Sequence, residues 1–90
     1  MRFLVTPTFA RAAKKLRGGQ KAELDDAVSA IALDPTIGDA KVGYLAGVNV
    51  FKFRLNNQLC LLAYTLVADD TIKLLALGSH ENFYRDLKRS

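Results

Sequence analysis

The sequence predicts a single small α+β domain over residues 1–90: an N-terminal strand and a helical hairpin packed on a curved antiparallel sheet, closed by a short C-terminal helix. Three observations carry this. Apolar residues recur at helical spacing twice before Asp34, and Gly18-Gly19 joins the two stretches. From Val48 onward the period changes to two. The strands that follow are separated by the dipeptides Asn56-Asn57 and Asp69-Asp70, so they form an antiparallel meander.

Each element has its own warrant. In "RFLVT" (Arg2 to Thr6) Phe3 and Val5 alternate with their neighbours, which suits a short strand. Thr6 is placed to cap a helix, with Pro7 at the first helical position, where its missing N–H is not needed. Phe9, Ala12, Ala13 and Leu16 share one helical face, while Arg11, Lys14 and Lys15 take another. Gly18 and Gly19 end that helix with a left-handed cap. A second helix begins near Gln20, with Leu24, Ala27, Val28 and Ile31 as its apolar stripe, and Asp34-Pro35 ends it. Thr36 to Gly47, with three glycines, reads as a loop. Asn49, Phe51, Phe53 and Leu55 then take one face of a strand, and Val48, Val50, Lys52 and Arg54 the other. "LCLLAYTLV" is apolar on both faces, as a central strand requires, and "TIKLLAL" is the strand after it. Ser79 caps the closing helix, with Glu81 in its first turn.

Composition narrows the function classes. Half of the ninety residues are hydrophobic, enough for one modest core. The longest apolar stretch, Leu59 to Ala68, is far short of the roughly 20 residues that a membrane span needs. Cys60 is the only cysteine and His80 the only histidine. No internal disulfide can form, no metal-ligand cluster is present, and a reducing cytoplasm is the expected compartment. A net charge of +4 and a pI near 9.5 bias the chain toward nucleic acid or an acidic protein.

The candidate chemistry is sparse. Lys52 and Arg54 point the same way, about 7 Å apart along a strand whose other face carries Phe51 and Phe53. They are either the solvated side of a half-covered sheet or a phosphate-binding pair. His80 and Tyr84 stand one helical turn apart, beside the core-facing Phe83 and Leu87. Histidine transfers protons near neutral pH, and a tyrosine can stack on a base. The same two residues also suit a surface histidine at a helix start and a tyrosine on the core rim. Motifs for a serine nucleophile, a phosphate-cradling loop or a zinc protease are missing. Asp25-Asp26 and Asp69-Asp70 read as solvated surface, and Cys60 as an inert core thiol.

These stretches together resemble the RelE/ParE superfamily of bacterial type II toxins over essentially the whole chain. The likeness rests on "FARAAKKL", "DPTIGDAKVGYLAG", "FKFRLNNQLCLLAY" and "IKLLALGSHENFYRDLKR". Within the superfamily, RelE-like members cut messenger RNA in the ribosomal A site, and ParE-like members inhibit DNA gyrase and lack the nuclease residues. The resemblance implies that Lys52 and Arg54 hold the scissile phosphate, that His80 acts as general acid or base, and that Tyr84 stacks on the nucleotide. It further implies that Lys41, Arg85, Lys88 and Arg89 contact RNA backbone, with no metal and no cofactor. The implied partners are a cognate antitoxin and the ribosome, or gyrase for the second activity. One departure favours the gyrase inhibitor, or a relic that only binds its antitoxin: many active nucleases have an arginine at the start of the third strand, where this chain has Cys60 or Leu61.

Overall fold

The computed structural model of this chain describes residues 1–79. Helix formation begins where the cap was expected. The Thr6 hydroxyl accepts from the Phe9 N–H at 3.1 Å and donates to the Leu75 carbonyl at 2.6 Å, so one side chain both starts the helix and pins it to the sheet. Strand β1 (Arg2–Val5) precedes it and helix α1 (Pro7–Lys14) follows. α1 ends before the glycine pair. Lys15 is its right-handed C-cap, and the left-handed step at Gly18 (φ +52°) serves instead as the N-cap of α2 (Gly19–Leu33). Both glycines therefore start the second helix rather than stop the first. Leu24, Ala27 and Ile31 form the buried stripe of α2, spaced at i, i+3, i+7 as read from the sequence.

Among the described residues the sheet has five strands, in the order β1-β5-β4-β3-β2. β3 (Asn49–Leu55) and β4 (Gln58–Ala68) form a hairpin closed by Asn56 and Asn57 at φ +54° and +67°, the left-handed pair that a type I′ turn demands. β4 and β5 (Thr71–Ser79) continue the antiparallel meander, with a bulge at Ala63/Tyr64. Two features differ from expectation. The loop after α2 contains a two-residue strand, β2 (Asp39–Ala40), paired with β3, and a 3₁₀ turn at Gly43–Leu45. Ser79 is the last residue of β5, and the helix it is expected to cap lies beyond it. The predicted C-terminal helix falls in residues 80–90, outside the described residues.

Placement of β1 is a tertiary matter. It pairs with β5, in parallel, from Arg2 opposite Thr71 to Val5 opposite Leu74. As an edge strand it stays exposed along its length, so its alternation does not separate a wet face from a dry one.

Both helices cover one face of the sheet. The larger core joins Phe9, Leu24 and Ile31 to Leu55, Leu62, Tyr64, Ile72 and Leu74, with Phe51 and Phe53 half-buried against it. The two phenyl rings stack at 6.1 Å, so β3 does turn its aromatics toward the helices. Each fully buried large aliphatic here contributes about 1.5–3 kcal/mol relative to an exposed one. The opposite face carries a smaller cluster of Val50, Leu61, Ala63 and Ala76, covered by Leu45, Val48 and Leu75. That second cluster occupies only part of its face. The basic pair lies on the remainder.

Candidate nucleic-acid interface

Strand alternation places Lys52 and Arg54 on the face away from the helices, and both are exposed. Directly across on β4 stand Leu61, opposite Lys52, and Leu59, opposite Arg54. Leu61 is completely buried in the small cluster, whereas Leu59 is 40 % exposed. The cations therefore border an apolar shelf. Of the two candidates for the missing arginine's position, Leu61 shares the face of Lys52, while Cys60 points into the helix-side core.

Arg54 is held in place. Its Nη1 donates to the Asn57 carbonyl at 3.2 Å, across the hairpin turn that follows it. Lys41 directly follows β2, and its N–H donates to the Val48 carbonyl at 2.9 Å. By register this puts it on the same side of the sheet, four residues along β3 from Lys52, about 13 Å. Lys73 also takes this face, opposite Thr65 on β4, a cation to which the sequence reading gave no role. Its position in the alternation of "TIKLLAL" was visible, but the face that alternation serves was not. Among the described residues, Lys52 and Arg54 thus lie as neighbours on this side of the sheet, with Lys41 and Lys73 further out. The remaining predicted site residues, His80, Tyr84, Arg85, Lys88 and Arg89, lie outside the described residues.

The strand bearing the basic pair is anchored through the loop that precedes it. Asp34 accepts from both the N–H (3.1 Å) and the hydroxyl (2.6 Å) of Thr36, which turns the chain at the end of α2 and holds the Asp34 carboxyl below the usual carboxylate range. The buried Tyr64 hydroxyl donates to the Pro35 carbonyl at 2.6 Å and accepts from the Gly38 N–H at 3.0 Å. A Cβ on Gly38 would lie 2.6 Å from that oxygen, so only glycine fits. The "DPTIG" stretch is a docking segment for one tyrosine. Beyond it, the Thr65 hydroxyl donates to the Gly47 carbonyl at 2.8 Å and ties down the other end of the loop.

Cys60 has no part in the basic face. It lines a groove of about 320 Å³ on the helix side, together with Leu16, Leu55 and Leu77. Its thiol donates to the Gly78 carbonyl at 3.5 Å, and burial pushes its pKa up from the ordinary 9.0. The Tyr64 phenol is raised too, chiefly by burial and further by the Asp34 carboxylate, against a lowering by the Gly38 N–H. A raised pKa means that the folded state holds the proton more tightly than the unfolded one. Stability from Cys60 is therefore complete below pH 9.0 and lost as pH rises through the folded value. Urea titrations from pH 7 to 11 should show stability falling above pH 9, less steeply in Cys60→Ser. Equal slopes for parent and variant would contradict this account.

Among the described residues no group of three or more His, Cys, Asp or Glu could hold a metal ion, and no helix is long and apolar enough to cross a membrane. Asp25, Asp26, Asp69 and Asp70 are all exposed, as the sequence reading expected.

The profile of ParE-like toxins of type II bacterial toxin-antitoxin systems matches residues 3–88. A mutant of the Escherichia coli toxin RelE in the free state superposes with a TM-score of 0.72 at 13 % identity, covering 98 % of this chain and 90 % of that one. RelE from the intact E. coli RelBE toxin-antitoxin complex gives 0.69 at 14 % identity, over 87 % and 94 % of the two chains. The archaeal RelE-RelB complex from Pyrococcus horikoshii gives 0.54 at 15 % identity, over 87 % and 92 %. At such identities the likeness establishes the fold. Among curated proteins, none matches this sequence closely enough to count as a relative.

Proposed function

This chain belongs to the ParE-like toxins of type II bacterial toxin-antitoxin systems, and we propose that it arrests growth in the cytoplasm by cutting messenger RNA on the ribosome. The observation that carries the reading is the exposed Lys52–Arg54 pair on the face away from the helices, on a strand whose other side is committed to the core. A protein-binding module can use such cations only for charge complementarity, but a phosphate whose charge builds during cleavage draws on both.

The reaction is an internal transesterification of the message. The 2′-oxygen of the substrate attacks the neighbouring phosphorus while a base takes its proton. The bond from phosphorus to the 5′-oxygen breaks, and an acid returns a proton to that oxygen. The products are a 2′,3′-cyclic phosphate and a 5′-hydroxyl end. Lys52 and Arg54 stabilise the charge that builds on the phosphate oxygens. His80 is the general acid or base, water carries the other proton, and Tyr84 is the stacking platform. Lys41, Arg85, Lys88 and Arg89 contact ribosomal RNA backbone, which positions the domain without reading sequence.

A second reading has its own observation. Opposite Lys52 stands the buried Leu61, so the shelf beside the pair is apolar where a nuclease gains from a third cation. That favours a gyrase inhibitor. One experiment separates the two: toeprinting of ribosome-bound messages in the presence of the purified protein, beside a gyrase supercoiling assay. The nuclease reading expects A-site cuts and unimpaired supercoiling, and the reverse pattern replaces it with the gyrase reading.

The regulatory partner is a cognate antitoxin, as in the RelB complexes of the structural neighbours. A chain carrying +4 fits an acidic or amphipathic antitoxin segment, over the helical hairpin or the basic face. Co-expression with the neighbouring small open reading frame should rescue growth. A protein harmless alone, with no copurifying partner, would contradict the toxin reading.

A further inference from the structure

The basic pair sits on one side of the sheet and the helices on the other, yet one helical side chain reaches the turn next to Arg54. The Glu23 carboxylate of α2 accepts from the Asn56 N–H through both oxygens, at 3.1 and 3.3 Å. In a two-residue hairpin turn closed by the Leu55–Gln58 pair, that N–H points out of the ladder and must find water or a side chain. On the far side of the same turn, the Asn57 carbonyl accepts from Arg54. The turn is therefore clamped from both faces of the sheet, by a carboxylate on the helix side and a guanidinium on the site side.

We propose that Glu23 is a positioning residue for Arg54, acting through the Asn56–Asn57 turn. Glu23 fixes the turn against α2, and the fixed turn presents the Asn57 carbonyl at the place where the guanidinium binds it. Arg54 spends one of its five N–H donors on that carbonyl and keeps the others for a phosphate, with its direction settled before substrate arrives. Lys52, two residues back along the strand and bound to no part of the turn in any described contact, does not depend on Glu23.

The inference rests on the reading of Arg54 as a phosphate ligand, and its test separates the two. Single-turnover cleavage of ribosome-bound message by the purified full chain is the first measurement. Glu23→Ala should lower the rate roughly ten- to a hundredfold, the scale of a small misplacement of a catalytic group. Glu23→Gln, which keeps an oxygen able to accept from Asn56, should restore most of it. In an Arg54→Ala background Glu23→Ala should cost nothing further, whereas in a Lys52→Ala background it should cost the full factor. A merely structural role would weaken both backgrounds alike, and that result overturns the proposal. If the parent cuts no message, the functional reading fails and the positioning claim is judged separately, by the NMR resonance of the Arg54 Nε–H. That signal should shift or broaden in Glu23→Ala while the Lys52 side-chain signals hold. An unchanged Arg54 signal overturns the proposal whatever the protein's target.

Discussion

Replacing Lys52 by alanine should lower ribosome-dependent cleavage about 10²–10³-fold, the usual loss when one stabilising group is removed from a developing oxyanion. His80→Ala should lower it by roughly two to four orders of magnitude, the range for a general acid or base. Tyr84→Phe should be mild, because a stacking ring survives, and Tyr84→Ala severe. The Lys52 variant should melt with the parent, since the side chain is exposed and its strand is held by the aromatics on the other face. Single-turnover rates, growth arrest on induction and thermal melting together check this. Loss of cleavage with an unchanged melt places Lys52 in the chemistry. Growth arrest that persists in His80→Ala, with messages uncut, would sink the nuclease reading and promote gyrase inhibition.

The second large effect is on stability and centres on Tyr64. It is fully buried in the larger core and holds both Pro35 and Gly38 through its hydroxyl. Tyr64→Ala should cost about 3–5 kcal/mol, by analogy with other large aromatic truncations in cores. That is a large fraction of the roughly 5–15 kcal/mol available to a small domain. Tyr64→Phe keeps the ring but strands a carbonyl and an N–H, at about 1–3 kcal/mol. Gly38→Ala drives a methyl to within 2.6 Å of the phenol oxygen and should cost about 1–3 kcal/mol. Urea denaturation checks all three. If Tyr64→Phe and Gly38→Ala both leave the midpoint unchanged, the loop is not docked as described. Because this loop leads through β2 into β3, both variants should also disturb Lys52 and Arg54, which makes the docking tyrosine a functional support as well as a core residue.

Much of the local structure was legible because it depends on neighbours a few residues apart. Thr6-Pro7 announced a helix start, Asn56-Asn57 announced a left-handed turn, and the period of two from Val48 put Phe51 and Phe53 on one side and Lys52 and Arg54 on the other. The basic half of the candidate site followed from that alternation alone. The glycine pair was misassigned for an equally local reason: a left-handed residue between two helices suits the end of one or the start of the next, and only the hydrogen bonds decide which. Gly18 went to the second helix.

By itself, then, the sequence determined the order of elements, the two faces of β3 and the family likeness of the chain, all of which are written in short-range spacing and motif order. The tertiary structure alone decided that β1 lies parallel to β5, that Tyr64 seats the "DPTIG" loop, that Glu23 braces the turn beside Arg54, and that Lys73 joins the basic face. The first three of these rest on partners far apart in the chain: Thr6 with Leu75 across 69 positions, Gly38 with Tyr64 across 26, Glu23 with Asn56 across 33. Spacing carries no signal for such pairs, because a hydrogen bond between distant residues depends on how the whole chain closes and not on the residues that flank either partner.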